Sequence, residues 1–243
     1  MRAMNIILIQ PYEWQGDCSA GTVSLHDHRH RHIRQVIQPA SGDRLRVGLL
    51  NGPLGDARVL HCDARETRLE VNLHSTPPRP LPVTLLLALP RPKVLRRTLQ
   101  SITALGVKEI YLLNSFRVEK SYWQTPFLQP EAVRETLLRG LEQARDTRLP
   151  QVHLRPRFKP FVEDELPALL QGKVGWTAHP VADAQPCPSA VPEPGVLAVG
   201  PEGGFIPYEV EQLAAAGLPA ITLGPRILRV ETALPALLAR LYH

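Results

Sequence analysis

The pattern of apolar and polar positions changes near residue 80. Before it, short runs alternate between the two types, as in Asp43–Leu49 and Arg68–Leu73, which is the period of half-buried strands. Met4–Gln10 and Ala57–His61 are further predicted strands, and His28–Ile37 is a predicted helix. Short strands separated by glycine turns favour a small β-barrel.

Glycine and proline mark the predicted connections. We expect loops at Gly16 and Gly21 and a turn at Asn51–Gly55. The run Thr76–Pro82 contains four prolines, and proline can neither extend a sheet ladder nor bend freely. It therefore predicts a domain boundary, with one domain over residues 1–75 and a second over residues 76–243.

After this boundary, apolar strands alternate with amphipathic helices. This order is typical of an α/β domain, a parallel sheet with helices on both faces. The predicted strands are Val83–Leu89, Val107–Leu113, Gln151–Leu154, Val174–Ala178, Val196–Val199 and Ala220–Leu223. The predicted helices are Pro92–Leu105, Pro130–Ala144, Phe161–Leu170, Pro207–Ala216 and a last one that runs through Leu241.

Composition places the chain among ordinary globular proteins. Of its 243 residues, 44% are hydrophobic and 21% are charged. The apolar run Val83–Leu89 is far shorter than the roughly 20 residues that cross a bilayer. In residues 1–10 the apolar run Ile6–Ile9 is too short for a secretory signal. The cysteines Cys18, Cys62 and Cys187 are few and widely spaced. We therefore expect no membrane association and a cytoplasmic location.

The charge is unevenly distributed along the chain. Residues 1–75 hold 9 Lys and Arg against 8 Asp and Glu, residues 76–160 hold 15 against 6, and residues 161–243 hold 4 against 9. A basic segment of this size attracts polyanions. Nucleic acid is the partner that this distribution favours, and a solvated arginine-rich helix face is the alternative.

Two loops carry the candidate chemistry, and each follows a predicted strand. Gly200–Gly204 offers a backbone that a ligand can approach closely. Leu223–Ala233 places two arginines and a glutamate around an apolar pair before the last helix. Because parallel sheets bind ligands at the carboxyl ends of their strands, we expect both loops at one site, where Arg226 could reach an anion.

In order and spacing, these two loops resemble those of the RsmE family of SPOUT methyltransferases, which methylate N3 of a uridine in small-subunit ribosomal RNA. The resemblance extends along the chain. Further matches are His32–Ile37 with Gly42 and Asp43, Leu105–Val107, Glu142 with Gln143, and Arg148–Pro150.

The resemblance implies a fold and a cofactor that periodicity cannot predict. It implies an N-terminal PUA-like β-barrel that binds RNA, a SPOUT-type sheet with a C-terminal trefoil knot, and a homodimer. S-adenosylmethionine is the implied cofactor and 16S ribosomal RNA in the small subunit the implied substrate. Arg226 is the implied catalytic residue. The implied cofactor-binding residues are Thr177, His179, Gly200, Pro201, Glu202, Gly203, Gly204, Leu223, Gly224, Ile227, Leu228, Arg229 and Thr232.

Basic side chains outside these loops are candidates for RNA contact. The alternating stretch His26–His32 could suggest a metal site, but its interspersed arginines oppose cation binding, so we expect no metal. Tyr122 and Trp123 could stack on a base or pack in a core. The predicted RNA-binding residues are Arg29, Arg31, Arg34, Arg91, Lys93 and Arg117.

Two other classes of protein are alternatives. A non-catalytic RNA-binding or ribosome-assembly protein could keep this fold, but intact cofactor loops argue against it. A nucleotide-dependent oxidoreductase would need a Gly-x-Gly-x-x-Gly turn after an early strand, which the chain lacks. Departures from the family pattern at Gln38, Ala104 and Val230 leave open a methyltransferase that acts on a different RNA base.

Overall fold

The computed structural model describes residues 5–17, 19–181 and 183–242. Cys18 and the start of the predicted strand at Met4 therefore lie outside the described residues. The chain divides into two compact units. One comprises residues 1–79 and 138–149, and the other comprises residues 80–137 and 150–243.

The first unit is built on a six-stranded mixed sheet in the order β1-β4-β5-β6-β3-β2. Its neighbouring strands are antiparallel except for β1 and β4, which are parallel. A short helix, α1, spans His28–His32 and continues as a π-helical turn over Ile33–Ile37, which confirms the predicted helix. The strands are β1 Ile7–Ile9, β2 Gln15–Gly16, β3 Ala20–Leu25, β4 Arg44–Leu49, β5 Leu54–Cys62 and β6 Thr67–Ser75.

The prediction that Gly16 and Gly21 lie in loops is wrong, because both glycines lie in paired strands. Gly16 faces Gly21 in the β2–β3 hairpin. A Cβ on Gly16 would lie 2.2 Å from the carbonyl oxygen of Ala20, so the glycines permit close strand approach. Close approach of a backbone is a second use of glycine within a strand.

Side chains of the first strand divide between two hydrophobic clusters. Successive residues of a strand point to opposite faces, and accordingly Ile7 and Ile9 join the larger core with Ile33. Ile6 and Leu8 join a second cluster that contains Leu141. Segment 138–149 thus contributes apolar side chains to the first unit.

Glu142 lies on this same segment and is half-buried. Burial raises the pKa of its carboxyl to about 7, while the charges of Arg29 and Arg139 favour ionisation and Asp27 opposes it. The folded protein therefore binds more protons than the unfolded chain between about pH 4.5 and pH 7. Its stability falls as pH rises through this window.

We expect Glu142→Gln to raise the free energy of unfolding at pH 8 by on the order of 1–3 kcal/mol and to leave it nearly unchanged at pH 4. Urea unfolding at both pH values measures this. Glu131→Gln serves as the control, because it changes an exposed carboxylate of the helix Pro130–Ala144, on which Glu142 also lies. An equal increase in the free energy of unfolding at both pH values would contradict the raised pKa of Glu142.

The second unit is a seven-stranded parallel sheet in the order β11-β13-β10-β12-β7-β8-β9. It confirms the predicted α/β class. The central strands are mostly apolar because both of their faces are covered, as the fully buried β7 and β12 show. The strands are β7 Val83–Ala88, β8 Glu109–Leu113, β9 Gln151–Arg155, β10 Val174–Ala178, β11 Gln185–Pro186, β12 Gly195–Val199 and β13 Ala220–Thr222.

The predicted helices are also present, with small shifts at their ends. Pro92 begins α2 at the position that tolerates proline, and Gly106 follows its end with a φ of +97°. The predicted helix at Phe161–Leu170 begins earlier, at Phe158, and contains a π-helical segment over Phe161–Glu165. The helices are α2 Pro92–Ala104, α3 Pro130–Ala144, α4 Phe158–Pro160, α5 Leu166–Leu169, α6 Pro207–Ala215 and α7 Val230–Tyr242.

Three short 3-10 helices complete the fold: Pro11–Glu13, Lys120–Gln124 and Pro126–Leu128. Trp123 lies in the second of these and is partly buried, and its indole donates a hydrogen bond to Asn114. Within the described ranges, none of the helices has the length and apolar character to cross a bilayer.

Candidate cofactor and RNA site

The candidate site is formed where three neighbouring strands end. Strands β13, β10 and β12 are adjacent and parallel, so their carboxyl ends meet at one edge of the sheet. The loops that follow them begin at His179, Gly200 and Leu223. The first residues of these loops are more than twenty positions apart in the chain, yet the three loops come together at this edge.

These loops enclose a cavity of about 280 Å³. Its apolar wall comes from strand ends and from α7, while its polar groups come from the loops. Among the residues predicted from the sequence, ten line it: His179, Gly200, Pro201, Glu202, Gly203, Gly204, Leu223, Arg226, Ile227 and Leu228. The other lining residues are Ala178, Pro180, Val199, Ile221, Thr222, Val230, Ala233 and Leu237.

Four residues predicted to bind cofactor lie outside the cavity lining. Thr177 is fully buried, and its hydroxyl donates to the carbonyl of Leu218 at 2.9 Å. Gly224 has a φ of +124°, which shapes the turn after β13. Arg229 and Thr232 are exposed, and the amide of Thr232 donates to the carbonyl of Arg229 at 2.9 Å. These residues shape the loops.

Two positions of the loop Gly200–Gly204, called the glycine loop below, favour glycine for structural reasons. Gly204 has a φ of +73°, a conformation that side chains with a Cβ rarely adopt, and its amide donates to Pro201 at 2.7 Å. A Cβ on Gly203 would lie 3.0 Å from Cδ of Arg117. At Gly203 and Gly204 the loop therefore presents bare backbone to the cavity.

We expect Gly204→Ala to weaken cofactor binding about tenfold or more, because the new methyl group disfavours the conformation that shapes the loop. Gly217→Ala is the matched control, since Gly217 also has a positive φ, of +104°, but lies after α6, outside the cavity. Both variants should lose stability. Isothermal titration with S-adenosylmethionine should show weaker binding in Gly204→Ala alone; equal affinity in the two would contradict the assignment.

Two residues predicted to contact RNA hold the glycine loop in place. The Arg117 guanidinium donates a hydrogen bond to the carbonyl of Gly203. The backbone amide of Arg91 donates to the Glu202 carboxylate at 3.1 Å. Both arginines are exposed, as is Lys93 near the start of α2. The charges of these three side chains are thus available to solvent, and Arg91 and Arg117 contact residues that line the cavity.

Glu209 lies in the first turn of α6 and supports the site, although sequence analysis assigned it no role there. Its side chain is buried, yet its carboxylate accepts hydrogen bonds from two backbone amides. These are the amides of Phe116, at 2.7 Å, and Ile206, at 3.0 Å. The Glu209 carboxylate therefore joins residues 114–119, called the Arg117 loop, to the segment that follows the glycine loop. Phe116 itself is 78% exposed.

Three ionisable side chains line the cavity: His179, Glu202 and Arg226. Burial and the nearby Arg117 charge lower the pKa of His179, so its imidazole is neutral at pH 7. Glu202 and Arg226 are exposed at the mouth. The cavity thus combines an apolar wall with one neutral histidine, one carboxylate and one guanidinium.

The apolar wall could not be singled out from the sequence. Val199 and Ile221 are strand residues, and nothing in their type distinguishes them from other core positions. The sequence signal that could have identified them is their position at the ends of the strands that lead into the glycine loop and the Leu223–Leu228 loop. Val230, Ala233 and Leu237 share one face of α7 at helical spacing.

In the first unit, Arg29 is buried and paired with two carboxylates instead of facing solvent. Only 3% of it is exposed, and its guanidinium donates to the carboxylates of Glu13 and Asp27, at 2.9 and 3.0 Å, and to the Leu8 carbonyl. Burial disfavours its charge, but the two carboxylates prevail and raise its pKa. Arg31 and Arg34 are exposed. Of the three arginines predicted to contact RNA in this unit, Arg31 and Arg34 are therefore the accessible candidates.

The alternating histidines are dispersed. His30 and His32 are buried, and His30 contacts the Thr67 hydroxyl at 2.8 Å, whereas His26 and His28 are exposed. Across residues 5–17, 19–181 and 183–242, no three His, Cys, Asp or Glu side chains converge in a way that could hold a metal ion.

A parallel sheet whose strand-end loops enclose a cavity defines an α/β ligand-binding domain, and comparison with known proteins identifies its class. Residues 77–242 match the family described as the RNA methyltransferase domain. The chain is 30% identical over 237 residues to "Ribosomal RNA small subunit methyltransferase E" of Treponema pallidum, covering 95% of this chain and 87% of that protein. It is 30% identical over 229 residues to the protein of the same name from Synechocystis, with 90% and 72% covered.

The chain belongs to the RNA methyltransferase family and, within it, to the RsmE family. A solved structure of the Neisseria gonorrhoeae ribosomal RNA small subunit methyltransferase E, bound to S-adenosyl methionine, shares the fold. Its TM-score is 0.76 at 23% identity, with 97% of this chain and 95% of that chain covered. The structure of a Legionella pneumophila putative methyltransferase gives 0.72 at 22% identity, with 98% and 96% covered.

Proposed function

We propose that the protein transfers a methyl group from S-adenosylmethionine to N3 of a uridine in 16S ribosomal RNA. The observation that carries this proposal is the convergence of the glycine loop and the Leu223–Leu228 loop on one cavity, in a chain of the RsmE family. The relatives are named for small-subunit ribosomal RNA, and the Neisseria gonorrhoeae and Legionella pneumophila structures hold the cofactor.

The lining residues fit this cofactor. Gly203 and Gly204 present bare backbone, against which a charged amino-acid group can form hydrogen bonds. Leu223, Ile227 and Leu228 are exposed apolar side chains that can pack against an adenine ring. When bound, the cofactor supplies a methyl group on a positively charged sulfur.

The polar groups of the cavity fit the base that receives the methyl group. N3 of uridine must lose its proton, which leaves an anionic base, and the Arg226 guanidinium can stabilise that charge. N3 also lies on the pairing edge of the base, so the target has to be unpaired or flipped out of its helix. Positioning by the loops provides most of the remaining catalysis.

A trefoil knot in the second unit is part of the proposal. Residues 179–194 connect β10 to β12 and contact elements that come later in the chain. The amide of Cys187 donates to Thr222 at 2.8 Å, and that of Ala190 donates to Arg240 at 3.0 Å. Contacts of one connection with both β13 and α7 are expected where the end of a chain passes through a loop.

The domain assignments are proposed as well. The mixed sheet of the first unit suits a PUA-like RNA-binding domain over residues 1–75, followed by a SPOUT domain over residues 76–243. The basic charge of residues 76–160 and the exposed Arg31, Arg34, Arg91, Lys93 and Arg117 support contact with RNA. A homodimer and a cytoplasmic location remain predictions from the family and composition; sedimentation analysis tests the first.

Methyl transfer to unmodified small ribosomal subunits tests the function. We expect label from S-adenosylmethionine to appear as 3-methyluridine when the nucleosides are separated by mass spectrometry. Label in another nucleoside would correct the base. Cofactor binding without any transfer would favour the non-catalytic alternative.

A further inference from the structure

His179 occupies a position in the cavity that cofactor binding alone does not explain. Its backbone fixes the loop, since its amide donates to the Ile221 carbonyl at 3.1 Å and its carbonyl accepts from the Val181 amide at 3.0 Å. The imidazole lines the cavity and lies 6.5 Å from the Phe205 ring, centroid to centroid. Within the described residues, neither ring nitrogen has a hydrogen-bond partner. The backbone therefore places the ring, and its nitrogens stay available.

Burial and nearby positive charge keep the imidazole neutral. Burial and the Arg117 cation lower its pKa, and Arg226 also lines the cavity, where Glu202 is the only carboxylate among the described lining residues. The amide of Arg91 holds one oxygen of that carboxylate. His179 and Arg117 both lie beside Gly204, because a Cβ built there would be 3.4 Å from Cε1 of His179 and 3.9 Å from Nη1 of Arg117.

We propose that His179 is a catalytic residue of the proposed reaction and accepts the N3 proton of the target uridine. This inference rests on the proposed function. A neutral imidazole in hydrogen-bond reach of the reacting edge is the usual general base near neutral pH. Arg226 and His179 then have separate roles in one cavity: the arginine stabilises the negative charge, and the histidine removes the proton.

The step balances without any further reactant. The N3–H bond breaks and its proton passes to a ring nitrogen of His179. The electron pair left on N3 forms the bond to the methyl carbon, and the carbon–sulfur bond breaks with its electron pair remaining on sulfur. The imidazolium that results returns its proton to solvent before the next turnover.

The test compares His179→Asn with the wild-type protein on small subunits that carry uridine or 5-fluorouridine at the target. We expect a 100-fold to 1,000-fold lower kcat on uridine. The loss should be less than tenfold on 5-fluorouridine, because fluorine acidifies N3–H, so more of the base is already ionised and the reaction depends less on a protein base. Isothermal titration should give a Kd for S-adenosylmethionine within threefold of the wild-type value.

His153→Asn is the matched control. His153 lies on β9, outside the cavity, and contacts the Glu109 carboxylate at 2.7 Å, so its loss should leave kcat on both substrates unchanged. An equal loss on uridine and 5-fluorouridine in His179→Asn would overturn the base role, as would cofactor affinity that falls as much as kcat. A wild-type protein inactive on both substrates would instead refute the proposed function, and the inference with it.

Discussion

Replacing Arg226 with alanine should lower kcat for methyl transfer by about 100-fold or more while the Kd for S-adenosylmethionine stays within threefold. Removing one donor that stabilises a developing anion typically costs this much. The guanidinium lines the cavity but is exposed at its mouth, so its loss leaves the apolar wall and glycine loop intact. Single-turnover transfer to small subunits and isothermal titration measure the two quantities separately.

Arg226→Lys distinguishes the charge from the shape of the side chain. A lysine keeps the positive charge but loses the planar array of donors, so it should recover part of the rate that alanine loses. Unchanged turnover in Arg226→Ala would exclude a catalytic role. A weakened Kd with normal turnover at saturating cofactor would assign the side chain to cofactor binding.

Glu209→Ala should lower the free energy of unfolding by about 3–5 kcal/mol, since two charge-assisted hydrogen bonds are lost and their donors remain. For a chain of this length, we expect the Tm to fall by roughly 8–15 °C. The same change should loosen the Arg117 loop and the segment after the glycine loop, because the carboxylate joins them. Urea unfolding and calorimetry measure the stability, and cofactor titration measures the effect on the site.

Glu211→Ala is the control for this prediction. Glu211 lies on the same helix, α6, but its side chain is exposed, and surface substitutions of this kind change stability by less than about 0.5 kcal/mol. If both variants lose the same small amount, the two hydrogen bonds of Glu209 contribute little to stability.

The parallel sheet could be predicted because its signals are local. An apolar run such as Val83–Leu89 has to be buried on both faces, and Gly106 marks the end of the helix that follows. Both candidate loops directly follow such runs, so general rules for α/β sheets placed them at one edge. The cavity brings together ten of the residues predicted from the sequence for this reason.

Other features depend on contacts between distant parts of the chain. Nothing near Leu141 indicates that it packs with Ile6 and Leu8. Similarly, the residues around Arg29 suggested a basic surface, but Glu13 and Asp27 bury and neutralise it. Glycine is a typical loop residue, and only the pairing of Gly16 with Gly21 across a hairpin shows that these two glycines lie in strands.

The strand order has a consequence for synthesis of the protein. Val83 begins β7, yet its partner in β12 is Gly195, more than one hundred residues later. At about 5–20 residues per second, the ribosome needs roughly 5–20 s to deliver that partner. During this interval one edge of a strand that is apolar except for Thr84 has no neighbour, and such an edge is a template for aggregation. Chains interrupted before residue 195 should therefore depend on chaperones far more than the finished protein.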